Sequence, residues 1–129
     1  MSHNYPFDLL HIDDSAPVRF IVSRALTSRG HRVTSCATPD EALQQDQSFD
    51  VAIIDLHLGA NMDGVELAEL LLVLKICNAV VFLTGSVHAA LRTEAEKWGP
   101  VLLKAEPTDL LLDALHQVVG AGPSSNNGP

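Results

Sequence analysis

One short stretch of the chain restricts the fold more than any other. Four consecutive apolar residues, Val51 to Ile54, run directly into the carboxylate of Asp55. A continuous apolar run of this length, with Asp50 before it and Gly59 after it, predicts a strand buried on both faces, as in a parallel sheet. Asp55 would then lie at the carboxyl end of the strand, where open α/β sheets bind their ligands. On this stretch alone, the alternative that Asp55 only caps or turns the following loop stays open.

The composition is that of one acidic globular domain. A chain of 129 residues, 47% of them hydrophobic, is long enough to bury a core without disulfides or metal ions. The 8 basic and 16 acidic residues give a net charge of -8, which argues against nucleic-acid binding. The two cysteines lack a CxxC spacing, and no apolar run approaches the ~18 residues of a membrane span. We therefore expect a cytoplasmic protein that contacts no membrane.

Strand-like and helix-like segments alternate along the chain. Strands are predicted at 7–12, 32–37, 51–55, 79–83 and 101–103, and helices at about 15–29, 38–45, 65–74, 89–98 and 107–119. Right-handed crossovers then give a flavodoxin-like, doubly wound, three-layer α/β fold with a five-stranded parallel sheet in the order 2-1-3-4-5. Residues 7–119 form the predicted domain, preceded by an N-terminal tail at 1–6. The Gly/Ser/Asn/Pro-rich residues 120–129 are expected to be a flexible tail.

Polar residues follow four of the predicted strands. Asp13 and Asp14 follow the first, Asp55 ends the third, Thr84 follows the fourth and Lys104 follows the fifth. The predicted topology brings all of them to one edge of the sheet. Three neighbouring carboxylates repel one another unless cations lie between them, and Lys104 supplies only one positive charge. Since all the acidic ligands are oxygen atoms, Mg²⁺ fits this site better than Ca²⁺ or Zn²⁺.

In this order, these residues resemble the receiver domain of two-component response regulators, the chemotaxis-regulator type of flavodoxin-like fold. The resemblance covers about residues 7–119 and rests on the pair Asp13-Asp14, the acceptor position Asp55, the turn Asp63-Gly64, Thr84 with a small residue after it, and Lys104. It implies that a histidine kinase or a histidine phosphotransfer protein, or a small phosphodonor, transfers a phosphoryl group to Asp55. The domain would signal through a conformational change. Apart from this self-catalysed transfer and slow autodephosphorylation, no enzyme activity is implied.

The resemblance also implies a Mg²⁺ site with a defined set of ligands. Asp14 would bind the ion directly, Asp13 mostly through water, and Asp55 with one carboxylate oxygen. The backbone carbonyl of His57 would complete the protein ligands. The metal would screen the charge of the incoming phosphoryl group, towards which a carboxylate is a poor nucleophile.

Further residues are implied to contact the phosphoryl group or to control its hydrolysis. Lys104 would pair with one phosphoryl oxygen and Thr84 would donate its hydroxyl to another, so that both disperse transition-state charge. The side chains of His57 and Ser86 are placed where they could tune the access of water. These roles make Asp55, Thr84 and Lys104 the predicted reactive residues.

Simpler interpretations exist for several of these residues. Asp14 could merely cap the first helix, Lys104 could be an ordinary surface lysine, and the buried strand position of His11 favours a packed histidine over a catalytic one. In the third helix, Leu70 and Leu74 are expected to face the core, and surplus apolar residues could mark a partner surface. A homodimer through the fourth helix, fifth strand and fifth helix is a separate candidate interface.

Three features depart from the receiver pattern. The position three residues before the lysine, usually aromatic, is Val101, and the residue after the lysine is Ala105 instead of proline, so we expect a trans Lys104–Ala105 bond. The loop from Asp55 to Gly64 is also one residue longer than the commonest form and lacks its proline. These departures leave the phosphorylation chemistry intact but put the output in doubt, and a phosphorelay shuttle or a kinase-attached receiver fits as well as a switch.

Two functions from different classes therefore remain. The first is a phosphorylatable receiver, and the second is a receiver-like protein-interaction module that works without phosphorylation. A small phosphatase with Asp55 as its nucleophile is disfavoured because the second aspartate, expected two residues later, is His57. A flavin-binding flavodoxin is disfavoured because no Ser/Thr/Gly-rich phosphate loop follows the first strand.

Overall fold

A computed structural model of the chain describes residues 6–59, 62–86 and 89–121. Five parallel strands form one sheet in the order β2-β1-β3-β4-β5, which confirms the predicted topology. The elements along the chain are β1 (Asp8–Ile12), α1 (Ala16–Thr27), β2 (Arg32–Cys36), α2 (Pro39–Leu43), β3 (Phe49–Asp55), α3 (Gly64–Val73), β4 (Cys77–Thr84), α4 (Ala89–Glu96), β5 (Val101–Leu103) and α5 (Thr108–Ala121). Sheet and helices together make the predicted three-layer, flavodoxin-like α/β fold.

The apolar run that ends at Asp55 forms the central strand. β3 pairs with β1 on one side and β4 on the other, and its residues from Val51 to Ile54 are fully buried. The strand begins two residues earlier than predicted, because Phe49 pairs with Cys77 and is itself buried. β2, the more polar strand, lies at one edge of the sheet as expected.

Successive residues of each strand point into different helical layers. Leu9 and Leu10 on β1 illustrate this alternation, since Leu9 packs in the core between the sheet and α5, around Leu115, whereas Leu10 packs in the core on the other face, around Leu71 of α3. Burial on both faces explains why β1, β3 and β4 have nearly continuous apolar sequences.

Helix caps at the carboxyl edge of the sheet place the loops that carry the polar residues. Ser15 caps α1 by accepting a hydrogen bond from the amide of Val18, and Asp63 forms a capping box with Glu66 at the start of α3. The first residue of α3, Gly64, lies so close to the carbonyl of Asp55 that a Cβ atom would collide with it. The loop after β3 therefore returns directly beneath the end of its own strand.

Two predictions about the helices are wrong. α5 continues to Ala121, so Gly120 and Ala121 belong to the helix and not to the tail, while the rest of that tail lies outside the described residues. Leu70 and Leu74 are exposed. Leu74 lies just after α3, which ends at Val73, and just before Lys75, where a φ of 62° turns the chain. None of the described helices combines the length and apolar composition needed to cross a bilayer.

Candidate functional site

Three carboxylates meet at the carboxyl edge of the sheet. In the parallel register of β1 and β3, Ile12 pairs with Ile54, so the residues that follow, Asp13 and Asp55, lie side by side. One carboxylate oxygen from each of Asp13, Asp14 and Asp55 lies within 4.8 Å of the others. The structure thus brings together the acidic residues that the sequence placed at this edge, and we call these three residues the acidic trio.

Asp13 is completely buried, and three of its four polar atoms make hydrogen bonds. Its amide donates to the carbonyl of Cys36 at 3.1 Å, its Oδ1 accepts from the amide of Ser15 at 2.8 Å, and its own carbonyl accepts from the guanidinium of Arg19 at 2.6 Å. Its Oδ2 lies 2.8 Å from Nζ of Lys104, an ion pair that lacks the geometry of a hydrogen bond. This buried oxygen therefore makes no hydrogen bond within the described part of the chain.

Asp14 differs from Asp13 in almost every respect. Its side chain is exposed and makes no hydrogen bond with any described residue. The role of cap for α1 belongs to Ser15, so the simpler interpretation of Asp14 as the helix cap is wrong. Gly59, at a φ of 69°, passes close by, and a Cβ atom at that residue would approach Oδ2 of Asp14 to 3.3 Å. The loop after β3 thus closes around an otherwise unpartnered carboxylate.

Asp55 is 96% buried, with 4% of its surface exposed, yet it keeps two polar partners. Its Oδ1 accepts a hydrogen bond of 3.2 Å from the amide of His57, and its Oδ2 lies 3.3 Å from Nζ of Lys104. Burial raises the pKa of Asp55, and the neighbouring charge of Asp13 raises it further, against the opposing effects of the His57 amide and Lys104. The surroundings of Asp55 therefore disfavour the charged form of its carboxyl group relative to the neutral form.

Lys104 is the cation that bridges the trio. Its ammonium group lies between Asp13 and Asp55, and its backbone amide donates to the carbonyl of Thr84 at 2.8 Å. Burial alone would lower the pKa of Lys104, but the two carboxylates outweigh burial and raise it. The alternative of an ordinary surface lysine is wrong. The Lys104–Ala105 bond is trans, like every peptide bond in the described ranges.

The donor set of this pocket fits a hard divalent cation. All three acidic ligands are oxygens, the buried Oδ2 of Asp13 makes no hydrogen bond, and a single ammonium group contacts two of the three carboxylates. Hard cations such as Mg²⁺ prefer carboxylate and carbonyl oxygens. The residues of the trio could therefore hold such an ion.

A comparison with known families decides what this arrangement is. Residues 9–116 match the family described as the response regulator receiver domain. The chain belongs to this family. The match includes both strands that carry the trio and the strand that delivers Lys104.

Solved structures agree with this membership. A response regulator protein from Burkholderia pseudomallei, crystallised with a phosphorylated aspartic acid, a calcium ion and citrate, is 31% identical, with a TM-score of 0.76 over 84% of this chain. This chain spans 65% of that protein. A CheY-like receiver domain protein from Methanospirillum hungatei JF-1 shares the fold at 21% identity, with a TM-score of 0.80 over 89% of this chain and 94% of the other. The receiver domain of a diguanylate cyclase from Desulfovibrio desulfuricans G20 does so at 22% identity, with the same TM-score and coverage.

Two further residues that the sequence assigned to this receiver site, Thr84 and His57, lie at its edge. The hydroxyl of Thr84 donates to the carbonyl of Ser86 at 2.8 Å and accepts from the Ser86 amide at 3.3 Å. His57 contributes its amide to Asp55, and the residue is exposed. The roles of the Thr84 hydroxyl and of the His57 carbonyl stay predictions.

The departure at Val101 has a clear structural consequence. Val101 is buried in the core between the sheet and the layer of α2, α3 and α4, where Phe82 and Ala95 also pack. A small aliphatic side chain in that place has no alternative exposed orientation of the kind that an aromatic ring could adopt. The receiver domain therefore has no aromatic side chain at this position that could follow Thr84.

Two residues near the site, Arg19 and His11, were not predicted from the sequence as functional residues; His11 was expected only to be packed. Arg19 is half-buried on α1, three residues before Val22 and seven before Leu26, a spacing that places an arginine on the core side of the helix. His11 is packed inside β1 as predicted, but neither ring nitrogen has a partner among the described residues, and burial lowers its pKa to about 4. The signal for Arg19 was a charged residue at an apolar helical position.

Proposed function

We propose that this receiver domain accepts a phosphoryl group on Asp55 from a histidine kinase or a histidine phosphotransfer protein, with Mg²⁺ bound at the acidic trio. One observation carries the proposal. The Asp55 carboxylate lies between the His57 amide and the Lys104 ammonium, directly beside Asp13 and Asp14. The phosphorylated aspartic acid and the calcium ion of the 31% identical Burkholderia protein support both parts of it.

The proposed reaction moves one phosphoryl group between two proteins. An oxygen of the Asp55 carboxylate attacks the phosphorus atom of the donor phosphohistidine, a P–O bond forms, the P–N bond breaks, and the released imidazole takes up a proton from water. When bound by Asp13, Asp14, Asp55 and the His57 carbonyl, Mg²⁺ supplies positive charge that offsets the repulsion between the carboxylate and the phosphoryl group. The protein itself is consumed as acceptor, so it is no enzyme in the turnover sense.

Lys104 supplies the positive charge that the chain itself brings to the reaction. Its ammonium group already contacts Oδ2 of Asp55 at 3.3 Å and lies beside Asp13, so it needs little rearrangement to meet a phosphoryl oxygen. A preorganised cation in a largely buried pocket stabilises developing charge more than it could in water. The strong Asp13 contact keeps the ammonium group in place between successive phosphorylation events.

The hydroxyl of Thr84 provides the link to a conformational change. In this structure it donates to the Ser86 carbonyl, so it must leave that partner before it can donate to a phosphoryl oxygen. The exchange would loosen the turn after β4. With Val101 buried, such a backbone change would transmit the signal without an aromatic side chain.

The donor protein would dock next to Lys104. A cavity of about 130 Å³ lies between α1 and the β5–α5 connection, with Ile21, Leu102 and Lys104 in its wall. Phe20, beside it on α1, is 64% exposed. An apolar helical surface of a phosphodonor could cover this region while its phosphohistidine reaches Asp55.

Labelling with a small phosphodonor tests the acceptor assignment. The receiver is incubated with radiolabelled acetyl phosphate and Mg²⁺, and we expect stoichiometric labelling that Asp55→Asn abolishes, because the amide cannot act as the nucleophile. Asp46→Asn, at an exposed residue after α2, is the matched control and should label like the wild type. Chelation of Mg²⁺ should also stop the labelling. Label that persists in Asp55→Asn would overturn the assignment.

A second candidate function is an interaction module that works without phosphate. The burial of Val101 and the absence of the Lys-Pro pair favour it, because both alter the usual route of the signal. Saturating Mg²⁺ and beryllofluoride, a mimic of the phosphoryl group, should then leave the melting temperature and the amide spectrum unchanged.

A homodimer through α4, β5 and α5, where Leu110 is exposed, is part of the first proposal and is measured by sedimentation with and without beryllofluoride.

A further inference from the structure

The guanidinium group of Arg19 reaches from α1 to the strand end that carries two members of the trio. Its Nη1 donates to the backbone carbonyl of Asp13 at 2.6 Å, the distance of a strong charge-assisted hydrogen bond. This carbonyl belongs to the peptide unit that joins Asp13 to Asp14. The bond therefore fixes the orientation of the unit from which both carboxylates project.

The two aspartates depend on this peptide unit to different extents. The carboxylate of Asp13 has its own anchors, the amide of Ser15 at 2.8 Å and the ammonium group of Lys104 at 2.8 Å. The carboxylate of Asp14 is exposed and has no hydrogen-bond partner among the described residues. Its direction is consequently set by the backbone on which it stands, and Arg19 is the side chain that bonds the carbonyl of that peptide unit.

We propose that Arg19 is a positioning residue for the metal site, which keeps the Asp13–Asp14 peptide unit turned so that the Asp14 carboxylate faces Asp13 and Asp55. The inference rests on the proposed function, since it assumes that the trio binds Mg²⁺. Arg19 does not belong to the acidic trio. It acts through the main chain, in the way that outer partners of metal ligands orient the ligands themselves.

Positioning and simple electrostatics predict changes of opposite sign. A guanidinium group near three carboxylates repels an incoming cation, so if charge alone mattered, removing Arg19 would strengthen Mg²⁺ binding. If Arg19 orients Asp14, removing it weakens Mg²⁺ binding because the exposed carboxylate samples more directions. The sign of the change in affinity therefore separates the two explanations.

The test is a titration of the ¹⁵N-labelled full chain with Mg²⁺ alone, followed by the amide signal of His57, which donates to Asp55. We expect Arg19→Met to raise the Mg²⁺ dissociation constant on the order of tenfold, as for other outer partners of metal ligands. Arg24→Met is the matched control, because it removes one exposed arginine from the same helix and should leave the constant within twofold of the wild type. The same spectra report whether each variant is folded.

Two further variants separate the hydrogen bond from the charge and from folding. Arg19→Gln keeps an N–H donor without the charge, and Arg19→Lys keeps the charge without the planar fork of donors. Both should bind Mg²⁺ more tightly than Arg19→Met, and both serve if Arg19→Met fails to fold. In labelling by acetyl phosphate at saturating Mg²⁺, Arg19→Met should approach the wild-type maximal rate, so that the defect lies in the Mg²⁺ dependence.

The outcomes distinguish this inference from the proposed function. An unchanged or tighter Mg²⁺ constant in folded Arg19→Met overturns the positioning role, provided that the wild type binds Mg²⁺ and Asp14→Asn does not. Equal weakening in Arg19→Met and Arg24→Met also overturns it, because the effect would then follow total charge. If the wild type shows no saturable response to Mg²⁺, the metal site of the proposed function falls together with this inference.

Discussion

Titratable side chains lie near both ends of β1, but those at the amino end are histidines packed against an aromatic ring, whereas those at the carboxyl end are crowded carboxylates. At the amino end, Phe7 stacks on the imidazole of His31 at 4.9 Å and meets His116 edge-on at 5.1 Å. At the carboxyl end, Asp13 and Asp55 crowd around one ammonium group, that of Lys104. We call the first group, Phe7, His31 and His116, the histidine cluster.

The histidine cluster satisfies its buried polar atoms. Nδ1 of His31 accepts a hydrogen bond of 3.0 Å from the amide of Phe7, and burial together with the neighbouring His116 lowers the pKa of His31. The acidic trio leaves Oδ2 of Asp13 without a hydrogen bond and raises the pKa of Asp55. Buried polar groups are normally paired, so an unpaired one at a strand end marks a place where binding takes precedence over stability.

The comparison predicts that changes at the two ends affect different properties. The largest effect on stability is expected from Phe7→Ala, because deleting a buried phenyl ring costs about 3–5 kcal/mol. Chemical denaturation measures the loss. Phe20→Ala, at a phenylalanine that is 64% exposed, should stay within about 0.5 kcal/mol of the wild type.

The same Phe7→Ala protein should keep its chemistry at the other end of the strand. Its Mg²⁺ dissociation constant, measured under conditions where the variant is folded, should match that of the wild type. A large loss of Mg²⁺ affinity in the folded variant would show that the two ends are coupled through β1, contrary to the comparison.

At the carboxyl end, Lys104→Met should reduce the rate of labelling by acetyl phosphate on the order of 10²-fold, as for the loss of one preorganised donor to a developing negative charge. The long apolar side chain preserves most of the packing. Lys97→Met, at an exposed lysine paired with Glu94 at 3.4 Å, is the control and should label normally. Since Lys104 competes with metal ions for the carboxylates, the variant should bind Mg²⁺ more tightly. A labelling rate within twofold of the wild type would remove Lys104 from the proposed mechanism.

The arrangement of the strands was predictable because the relevant signals are local. Continuous apolar runs identify buried parallel strands, caps such as Ser15 and Asp63 identify helix starts, and parallel strands end at the same edge. The positions of Asp13, Asp55 and Lys104 at one edge follow from those rules. Their juxtaposition requires no knowledge of side-chain packing.

The remaining features depend on contacts between residues far apart in the sequence. The bond from Arg19 to the Asp13 carbonyl requires the docking angle of α1, and the contact of His31 with His116 requires α5 to pass the start of β2. The present hydrogen bond of the Thr84 hydroxyl could not be predicted for a different reason. Whether this hydroxyl contacts Ser86 or points towards the acidic trio depends on the side-chain rotamer, which no pattern of residue types specifies.

The smallest expected effect concerns the pH dependence of stability. Because the pKa of His31 is lowered by folding, the unfolded chain binds more protons than the native state once the pH falls below about 6.5, the usual pKa of histidine. The contribution of His31 to stability is therefore complete above that pH and is lost as the pH falls towards its folded pKa. Protonation at Nδ1 would also abolish the bond to the Phe7 amide.

His31→Gln tests this contribution, since the amide oxygen of glutamine can accept from Phe7 without titrating. The free energy of unfolding, measured in urea at pH 7.5 and pH 5.5, should decrease less in His31→Gln than in the wild type. Some decrease should remain, because the pKa of His11 is also lowered, to about 4, and acts with the same sign. Asp55 acts oppositely at lower pH, since its raised pKa makes its ionisation cost stability as the pH rises. Identical decreases in both proteins would mean that the histidine cluster does not hold His31 in its neutral form, and the contrast between the two ends of β1 would then reduce to the acidic trio alone.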